Sequence, residues 1–272
     1  MVEVDGQLLR VGVRRGARHR PPLLIFNGIG ANLELLEPFT AALGGIETIV
    51  FDVPGVGGSP APKWPYRFWQ LARLADRLLV QLGHDRQVDV LGVSWGGALA
   101  QQYALQYPQR CRRLVLAATS SGALMLPGRF SVLSKMVSAR RYADPDHLRK
   151  IGPQLYGGVF RRRPELLAHH GRHMRSPRGR GYFYQLLAVW GWSSLFWLPL
   201  LRQPTLVMAG SDDPIVPLVN AKVLVTLIRS ARLHVVDDGH LFLVTRALRT
   251  ARAVRDFLGE GPPQDHAAAH AG

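Results

Sequence analysis

One serine of this chain lies in a sequence context suited to nucleophilic chemistry. Ser94 has a glycine two residues away on each side, in Gly92-Val93-Ser94-Trp95-Gly96, between an apolar β-branched run and a helix-forming stretch. A serine on a sharp strand-to-helix turn has a strained backbone and a hydroxyl that projects from the end of the sheet. Glycine is needed on both sides because a Cβ there would collide with the neighbouring strand or helix. The pattern predicts that Ser94 is a nucleophile, and the alternative is a turn with only a structural role.

A serine hydroxyl becomes a good nucleophile only when a base takes its proton and an acid orients that base. In the chain order serine, acid, histidine, the base is predicted to be His240, which follows the last apolar run and a glycine. The alternative for His240 is a loop histidine that caps the last helix. Asp213 is preferred over Asp212 as the acid because the proline after it rigidifies the turn, while Asp237 and Asp238 are weaker candidates. For either turn aspartate, the alternative is a residue that caps the following helix.

Two backbone N–H groups are expected to stabilise an oxyanion beside the serine. The N–H of Trp95 begins the helix after Ser94, where the positive end of the helix dipole lies. The second donor is predicted in Asn27-Gly28-Ile29-Gly30, directly after an earlier strand. Ile29 would supply the N–H, Gly28 and Gly30 would permit the tight curve, and the Asn27 side chain would brace the loop.

Three histidines, His169, His170 and His173, have a spacing that could suggest a metal site. They lie in an arginine-rich segment without nearby carboxylates or cysteines, which are the usual companions of histidine in metal sites. We therefore expect a solvated helix face there. Neither a metal nor an organic cofactor is predicted for this chain.

Short apolar runs alternate with helical stretches along most of the chain. An Asp-Gly pair between alternating apolar residues near the N-terminus predicts an opening hairpin. Continuous apolar runs of this kind are typical of strands buried on both faces, and the alternation predicts a mostly parallel α/β sheet. The predicted strands contain residues 23–26, 48–51, 88–91, 114–117, 205–208 and 233–236, and the predicted helices cover residues 34–43, 68–82, 98–107, 218–228 and 241–258.

One long interval interrupts the alternation. Residues 120–202 contain helical pieces and aromatic residues but no clear strand, which predicts a helical cap (lid) inserted between two strands, over the carboxyl ends of the sheet. The core is then predicted to comprise residues 1–119 and 203–258. Residues 259–272, rich in Gly, Pro, Ala and His, are predicted to form a disordered tail.

The composition is that of a globular protein with a strongly basic balance. The 272 residues are 47% hydrophobic, include one cysteine, and carry a formal net charge of +15. No apolar run approaches the roughly 20 residues of a membrane span, and no secretory signal is recognisable at the N-terminus, so a cytoplasmic location is expected. The charge indicates either attraction to an anionic surface or a compositional excess of scattered arginines. No nucleic-acid-binding motif is present, and no nucleic-acid partner is expected.

Several segments together resemble the intracellular medium-chain-length polyhydroxyalkanoate depolymerases. The likeness extends over nearly the whole chain and fails mainly in the C-terminal tail. The Asn-Gly-Ile-Gly-Ala-Asn run and the tryptophan after the serine are more particular to that family than the Gly-x-Ser-x-Gly pattern itself. The segments that carry the resemblance are residues 24–34, 51–59, 92–102, 156–158, 191–192 and 237–243.

This resemblance implies an α/β-hydrolase fold with a mostly parallel central sheet, helices on both faces and a helical cap. It implies hydrolysis of ester bonds in a storage polyester of 3-hydroxy fatty acids, on cytoplasmic granules, by a triad of Ser94, Asp213 and His240. The aromatic part of the cap would then cover and contact an insoluble aliphatic chain, or else form an ordinary cap core. The candidate contacts are Trp190, Trp192, Phe196 and Trp197.

Two other functions stay open at this point. The core motifs fit a small-ester or lipid hydrolase, or a carbon–carbon bond hydrolase of the same fold, because specificity depends on the cap. A non-catalytic granule-binding protein on a hydrolase scaffold is a third hypothesis, against which the complete Ser–Asp–His set argues. The +15 charge is not explained by the family's chemistry, although it would favour docking on a granule with an anionic coat.

Overall fold

A seven-stranded sheet forms the centre of the computed structural model, which describes residues 1–17, 19–137, 139–172, 174–175 and 179–259. The strands of the described residues are β1 (Val2–Val4), β2 (Gln7–Leu9), β3 (Val11–Arg14), β4 (Leu23–Phe26), β5 (Thr48–Phe51), β6 (Val88–Val93), β7 (Cys111–Ala117), β8 (Thr205–Gly210) and β9 (Ala231–Val236). The strand order of the sheet is β3-β5-β4-β6-β7-β8-β9, with β3 antiparallel to β5 and every other neighbouring pair parallel. The predicted parallel α/β sheet is therefore confirmed.

The opening hairpin is shorter than the apolar pattern suggested. β1 and β2 pair in antiparallel fashion around Asp5 and Gly6, whose φ angles of 49° and 77° are those of a tight primed turn. The next strand, β3, leaves the hairpin and pairs with β5 at the edge of the central sheet. Strand alternation alone could not distinguish these two partners, because either pairing buries one face of the strand.

Helices pack on both faces of the sheet, as the buried strands require. The α-helices of the described residues, those of the cap included, are α1 (Glu37–Ala42), α2 (Phe68–Gln81), α3 (Trp95–Gln106), α4 (Phe130–Leu133), α5 (Arg140–Ala143), α6 (Pro145–Tyr156), α7 (Gly158–Arg162), α8 (Leu166–Arg172), α9 (Gly181–Val189), α10 (Leu218–Leu227), α11 (Phe242–Thr245) and α12 (Ala247–Gly259). No helix in the described ranges combines the length and apolar character needed to cross a membrane.

Strand β4 shows how the two layers of the core arise. All four of its residues are buried, and successive side chains point to opposite faces of the sheet. Leu24 and Phe26 belong to the core shared with α2, α3 and α10, whereas Leu23 and Ile25 belong to the core shared with α1 and α12. A strand covered on both faces needs a continuous apolar run, which is the pattern the sequence shows.

Helices α4–α9 lie between β7 and β8, within the predicted cap. The described residues of 118–204 contain one β pairing, an isolated bridge between Gly122 and Ser193. A separate apolar cluster joins α6, α7 and α8 to the core loop residues Ile215 and Val216. At the C-terminus, α12 extends to Gly259, and the remainder of the predicted tail, residues 260–272, lies outside the described residues.

Candidate active site

Ser94 occupies the turn between the end of β6 and the start of α3. Its φ of 53° and ψ of −117° fall outside the regions that non-glycine residues ordinarily adopt. Bonds from β7 and the loop after it hold this turn: the Ser94 N–H donates to the Ala117 carbonyl at 2.8 Å, and the Thr119 hydroxyl donates to the Ser94 carbonyl at 2.7 Å. The surrounding structure thus maintains a strained backbone at the candidate nucleophile.

The two glycines of the turn leave no space for a side chain. A Cβ on Gly92 would lie 2.3 Å from the Gly96 carbonyl oxygen, and a Cβ on Gly96 would lie 2.2 Å from that of Phe26. Both contacts are with backbone atoms, which cannot move aside as a flexible side chain could. The close approach of β6, α3 and β4 therefore depends on these two positions being glycine.

His240 and Asp213 form a buried hydrogen bond. The His240 Nδ1 lies 2.7 Å from the Asp213 Oδ2, and both residues are less than a tenth exposed. The other carboxylate oxygen of Asp213 accepts the N–H groups of Ile215 and Val216, each at 2.9 Å. Because Asp213 is held at both oxygens, it fixes the imidazole with a proton on Nδ1 and leaves Nε2 available as a base.

The other three carboxylates that the sequence offered bond elsewhere. Asp212 accepts hydrogen bonds from the Gly158 N–H and from the Arg161 guanidinium. Asp237 accepts one from the Ser211 hydroxyl. Asp238 accepts hydrogen bonds from two backbone N–H groups and two side chains, those of Gly239, Val159, Thr245 and Arg246. Asp212 and Asp238 bind the cap at α7 rather than the candidate base. The structure therefore pairs His240 with Asp213 among the four.

The loop after β4 passes beside the serine. A Cβ on Gly28 would lie 3.8 Å from the Ser94 Cβ. The Asn27 side chain bridges this loop, since its Nδ2 donates to the Asn32 carbonyl and its Oδ1 accepts the Gly28 N–H, each at 2.9 Å. Gly30, with a φ of 69°, donates its N–H to the cap residue Gln185 at 2.7 Å.

Ile29 and Trp95, the residues predicted to supply the oxyanion donors, each contact the cap. The Ile29 carbonyl accepts the hydroxyl of Tyr142 from the cap. Ile29 and Ser94 line one cavity, and Trp95 follows Ser94 as the first residue of α3. The indole of Trp95 is anchored on the cap, because its Nε1 donates to the Gln185 carbonyl at 2.8 Å. The role of the two backbone N–H groups as oxyanion donors stays a prediction.

Ser94 and His240 face a cavity of about 60 Å³ between the core and the cap. The core contributes residues of the β4 loop, the serine turn and the loops around α11. The cap residues that line it are Met136, Arg141, Tyr142, Tyr156, His170 and Met174. The walls are mainly apolar, which favours a hydrophobic substrate group over a charged one.

Arg141 is a cavity residue that the sequence interpretation missed. Its side chain is 2% exposed, and its guanidinium lies 4.5 Å from the ring centre of Tyr142 and 5.3 Å from that of Tyr182. Burial opposes the charge, but the hydroxyls of Tyr142, Tyr156 and Tyr182 outweigh it and raise the pKa of Arg141. An arginine in a basic segment carries no sequence signal of burial, so only the fold reveals it.

The expectation of a solvated histidine face is wrong for His170. This residue is 6% exposed and packs against the rings of Tyr156 and Phe160, with centroid distances of 6.2 and 5.7 Å. One sequence signal was available: the fully buried Leu167 lies three residues earlier, on the same face of α8. The His169 side chain and His173 lie outside the described residues. Within the described residues, no group of three or more His, Cys, Asp or Glu side chains is placed to hold a metal ion.

The aromatic residues proposed as substrate contacts are not among those lining the cavity. Trp190, Phe196 and Trp197 are 74%, 77% and 56% exposed. Trp192 packs on Phe68 of α2, and its indole N–H donates to Gln102 of α3 at 3.0 Å. Trp192 thus packs between α2 and α3, and contact of these four aromatic residues with a substrate stays a prediction.

The protein-family model described as the alpha/beta hydrolase fold matches residues 21–247 of the chain. This match covers most of the sequence and agrees with the sheet order, the inserted helices and the serine turn described above. The chain therefore belongs to the α/β-hydrolase family, and it is an enzyme of that class.

Within this family, one relative is similar along nearly its whole length. The chain is 55% identical over 258 residues to the poly(3-hydroxyalkanoate) depolymerase of Ectopseudomonas oleovorans, which covers 94% of the chain and 91% of the relative. Among solved structures, the enol-lactonase of Burkholderia xenovorans LB400 matches with a TM-score of 0.80 and 26% identity, covering 94% of this chain and 98% of that one. A hydrolase from Pseudomonas aeruginosa PA01 matches with a TM-score of 0.79 and 28% identity, covering 94% and 96%.

Proposed function

We propose that this enzyme hydrolyses the ester bonds of an intracellular medium-chain-length poly(3-hydroxyalkanoate). The observation that carries the proposal is the buried 2.7 Å hydrogen bond between His240 and Asp213, beside a cavity that also contains Ser94. The substrate class rests on the 55% identity to a depolymerase and on the apolar walls of the cavity.

In the proposed mechanism, the His240 Nε2 takes the hydroxyl proton as the Ser94 oxygen bonds to the ester carbonyl carbon. The backbone N–H groups of Trp95 and Ile29 stabilise the resulting oxyanion, and the loss of one such donor costs roughly 3–4 kcal/mol in comparable sites. The ester C–O bond then breaks, and His240 gives its proton to the departing alkoxide. Water attacks the acyl-enzyme by the same steps and releases the acid, while Asp213 stabilises the imidazolium throughout.

Access to the serine requires the cap to move in this proposal. A cavity of about 60 Å³ holds only a few water molecules, whereas pockets for organic ligands are typically about 300–1,000 Å³. A polyester segment therefore enters when the cap is displaced from the core. The polymer would be met on cytoplasmic granules, where the +15 charge favours an anionic coat.

The test is the clearing of a medium-chain polyhydroxyalkanoate suspension, followed as loss of turbidity. We expect the native enzyme to clear it, to act less on short-chain polyhydroxybutyrate, and to lose activity in Ser94→Ala. Circular dichroism of Ser94→Ala would show that the fold is retained. Clearing by Ser94→Ala would disprove the assigned nucleophile, and no clearing by the native enzyme would disprove the polymer as substrate.

A hydrolase of small esters or lactones is the second candidate. The likeness of the fold to an enol-lactonase and the small volume of the cavity favour it. Soluble esters and polymer suspensions distinguish the candidates, because a small-ester hydrolase would turn over the first and leave the second intact. Covalent labelling by a fluorophosphonate would report an activated Ser94 in either case.

A further inference from the structure

A second cavity adjoins the one that contains Ser94. It measures about 430 Å³, and it shares Leu35, His170 and Val244 with the first cavity. Its residues are Glu34, Leu35, Glu37, Pro38, Ala41, Val159, Phe160, Leu166, His170, Val244 and Thr245. Because the same three side chains border both spaces, the two cavities lie side by side, and neither Ser94 nor His240 lines the second.

The walls of this cavity come from both the core and the cap. Pro38 and Ala41 of α1 form the core side, and Val159, Phe160 and Leu166 of α7 and α8 form the cap side. These five side chains are apolar, so the space between them suits hydrocarbon.

The polar groups of the cavity exclude other occupants. Glu34 and Glu37 are carboxylates, which cannot donate hydrogen bonds to ester oxygens when ionised. His170 and Thr245 are the side chains there that can donate, and the Thr245 hydroxyl already donates to Asp238 at 2.9 Å. A polyester main chain carries carbonyl groups at regular intervals, for which these side chains offer few donors, whereas an alkyl chain needs none.

We infer that the second cavity binds the alkyl tail of the acyl group that Ser94 carries. This inference rests on the proposed function and specifies where the length of the substrate side chain is recognised. A short tail would end in the first cavity, beside the serine. A medium-length tail would pass His170 and become buried between α1 and α8. This burial stabilises the transition state for a medium-length substrate more than the transition state for a short one.

Substitutions on opposite walls test this inference. Ala41 is exposed on α1, so Ala41→Trp fills the cavity from the core side, and Leu166→Trp fills it from the cap side. Val80→Trp, on an exposed position of α2 outside the cavity, is the matched control. The measured quantity is the ratio of kcat/KM for 4-nitrophenyl decanoate to that for 4-nitrophenyl butanoate.

The native enzyme and Val80→Trp are expected to favour decanoate. In Ala41→Trp and Leu166→Trp the ratio should fall by about tenfold or more, the scale on which hydrophobic pockets distinguish chain length. An unchanged ratio in both variants, or a native enzyme with no preference for the longer ester, would overturn the inference. Failure of the native enzyme on every ester and on the polymer would instead overturn the proposed function, so the two failures differ.

Discussion

At the scale of single residues, Asp213 is the carboxylate whose surroundings fit the orientation of a base. One oxygen is held by two backbone N–H groups and the other faces His240, so neither the carboxylate nor the imidazole can turn freely. Asp212, the next residue along the chain, instead binds the cap through Gly158 and Arg161. Two adjacent carboxylates therefore differ in role because their hydrogen-bond partners differ.

Substitution of these neighbours separates the roles. Asp213→Asn keeps the shape but no longer stabilises the imidazolium or fixes its tautomer, so kcat should fall by about 10⁴, as in other triads. Asp212→Asn, the matched control, should keep kcat within about tenfold. Steady-state kinetics on a soluble ester measure both. A larger loss of kcat in Asp212→Asn than in Asp213→Asn would show that Asp213 is not the acid.

Glu34 links the β4 loop to the cap. Its carboxylate pairs with Arg10 at 2.7 Å and with Arg175 at 2.9 Å, and it accepts a hydrogen bond from Asn32. Burial opposes the ionised form, but the hydrogen bonds from Arg10 and Asn32 prevail and lower the pKa of Glu34 to about 2. The charged carboxylate is thus favoured by the native state.

This shift predicts a pH dependence of stability. Because the pKa of Glu34 is lower in the folded than in the unfolded chain, its contribution is present above the ordinary pKa of 4.5 and is lost as the pH falls toward 2. Glu34→Gln should therefore unfold at lower urea than the native enzyme at pH 7, and the difference should shrink as the pH falls from 4.5 to 2. A difference that stays constant over that interval would contradict the prediction.

At the scale of elements, the junction of α6 and α7 joins the cap to the two loops that carry Asp213 and His240. The His240 N–H donates to the Tyr156 carbonyl at 2.8 Å, the Gly158 N–H donates to Asp212 at 2.8 Å, and the Val159 N–H donates to Asp238 at 2.7 Å. The position of the base thus depends directly on where the cap rests. Displacement of this junction would disturb His240 as well as open the cavity.

Two glycines of the cap provide a matched test of this junction. Gly158, at a φ of 52°, would place a Cβ 1.9 Å from the Gly239 N, whereas Gly191, at a φ of 73°, has open space around it. Gly158→Ala should therefore lower kcat by at least tenfold and reduce stability, and Gly191→Ala should cost only about 1–2 kcal/mol of backbone strain. Kinetics and thermal unfolding measure both. Equal effects of the two substitutions would show that the contact with Gly239 is unimportant.

The core elements could be predicted from the sequence to within a few residues, because each central strand is an apolar run buried on both faces. Ser94, Asp213 and His240 follow strand ends, and parallel strands bring such loops to one edge of the sheet. The cap could not be predicted in this way, because its short helices pack according to tertiary contacts. Arg141 and His170 are buried although their residue types suggest solvent, and Trp190 is exposed although its type suggests a core.

At the scale of the whole molecule, the charge of +15 acts over distances greater than any single contact. The excess is made of many arginines, and charge-driven adsorption weakens as salt shortens the Debye length, which is about 10 Å at 0.1 M. If the charge docks the enzyme on granules, binding to polymer particles coated with anionic lipid should fall at least tenfold between about 0.05 and 0.5 M salt.

Particles coated with a zwitterionic lipid are the control for this prediction, and co-sedimentation measures the bound fraction. Weak, salt-insensitive binding to the zwitterionic coat is expected. Equal binding to both coats at every salt concentration would mean that the positive charge does not direct docking.

The contacts between the α6–α7 junction and the loops that carry Asp213 and His240 also bear on how such an enzyme can be modified. On the cap side they use main-chain atoms of Tyr156, Gly158 and Val159, which almost every amino acid possesses. Apart from the glycines that permit the close approach, these three hydrogen bonds do not depend on the identity of the cap side chains, whereas Arg161 adds a side-chain bond to Asp212. Selection or design can therefore exchange cap side chains, and with them the preferred substrate, while these main-chain hydrogen bonds keep the cap attached to the two loops.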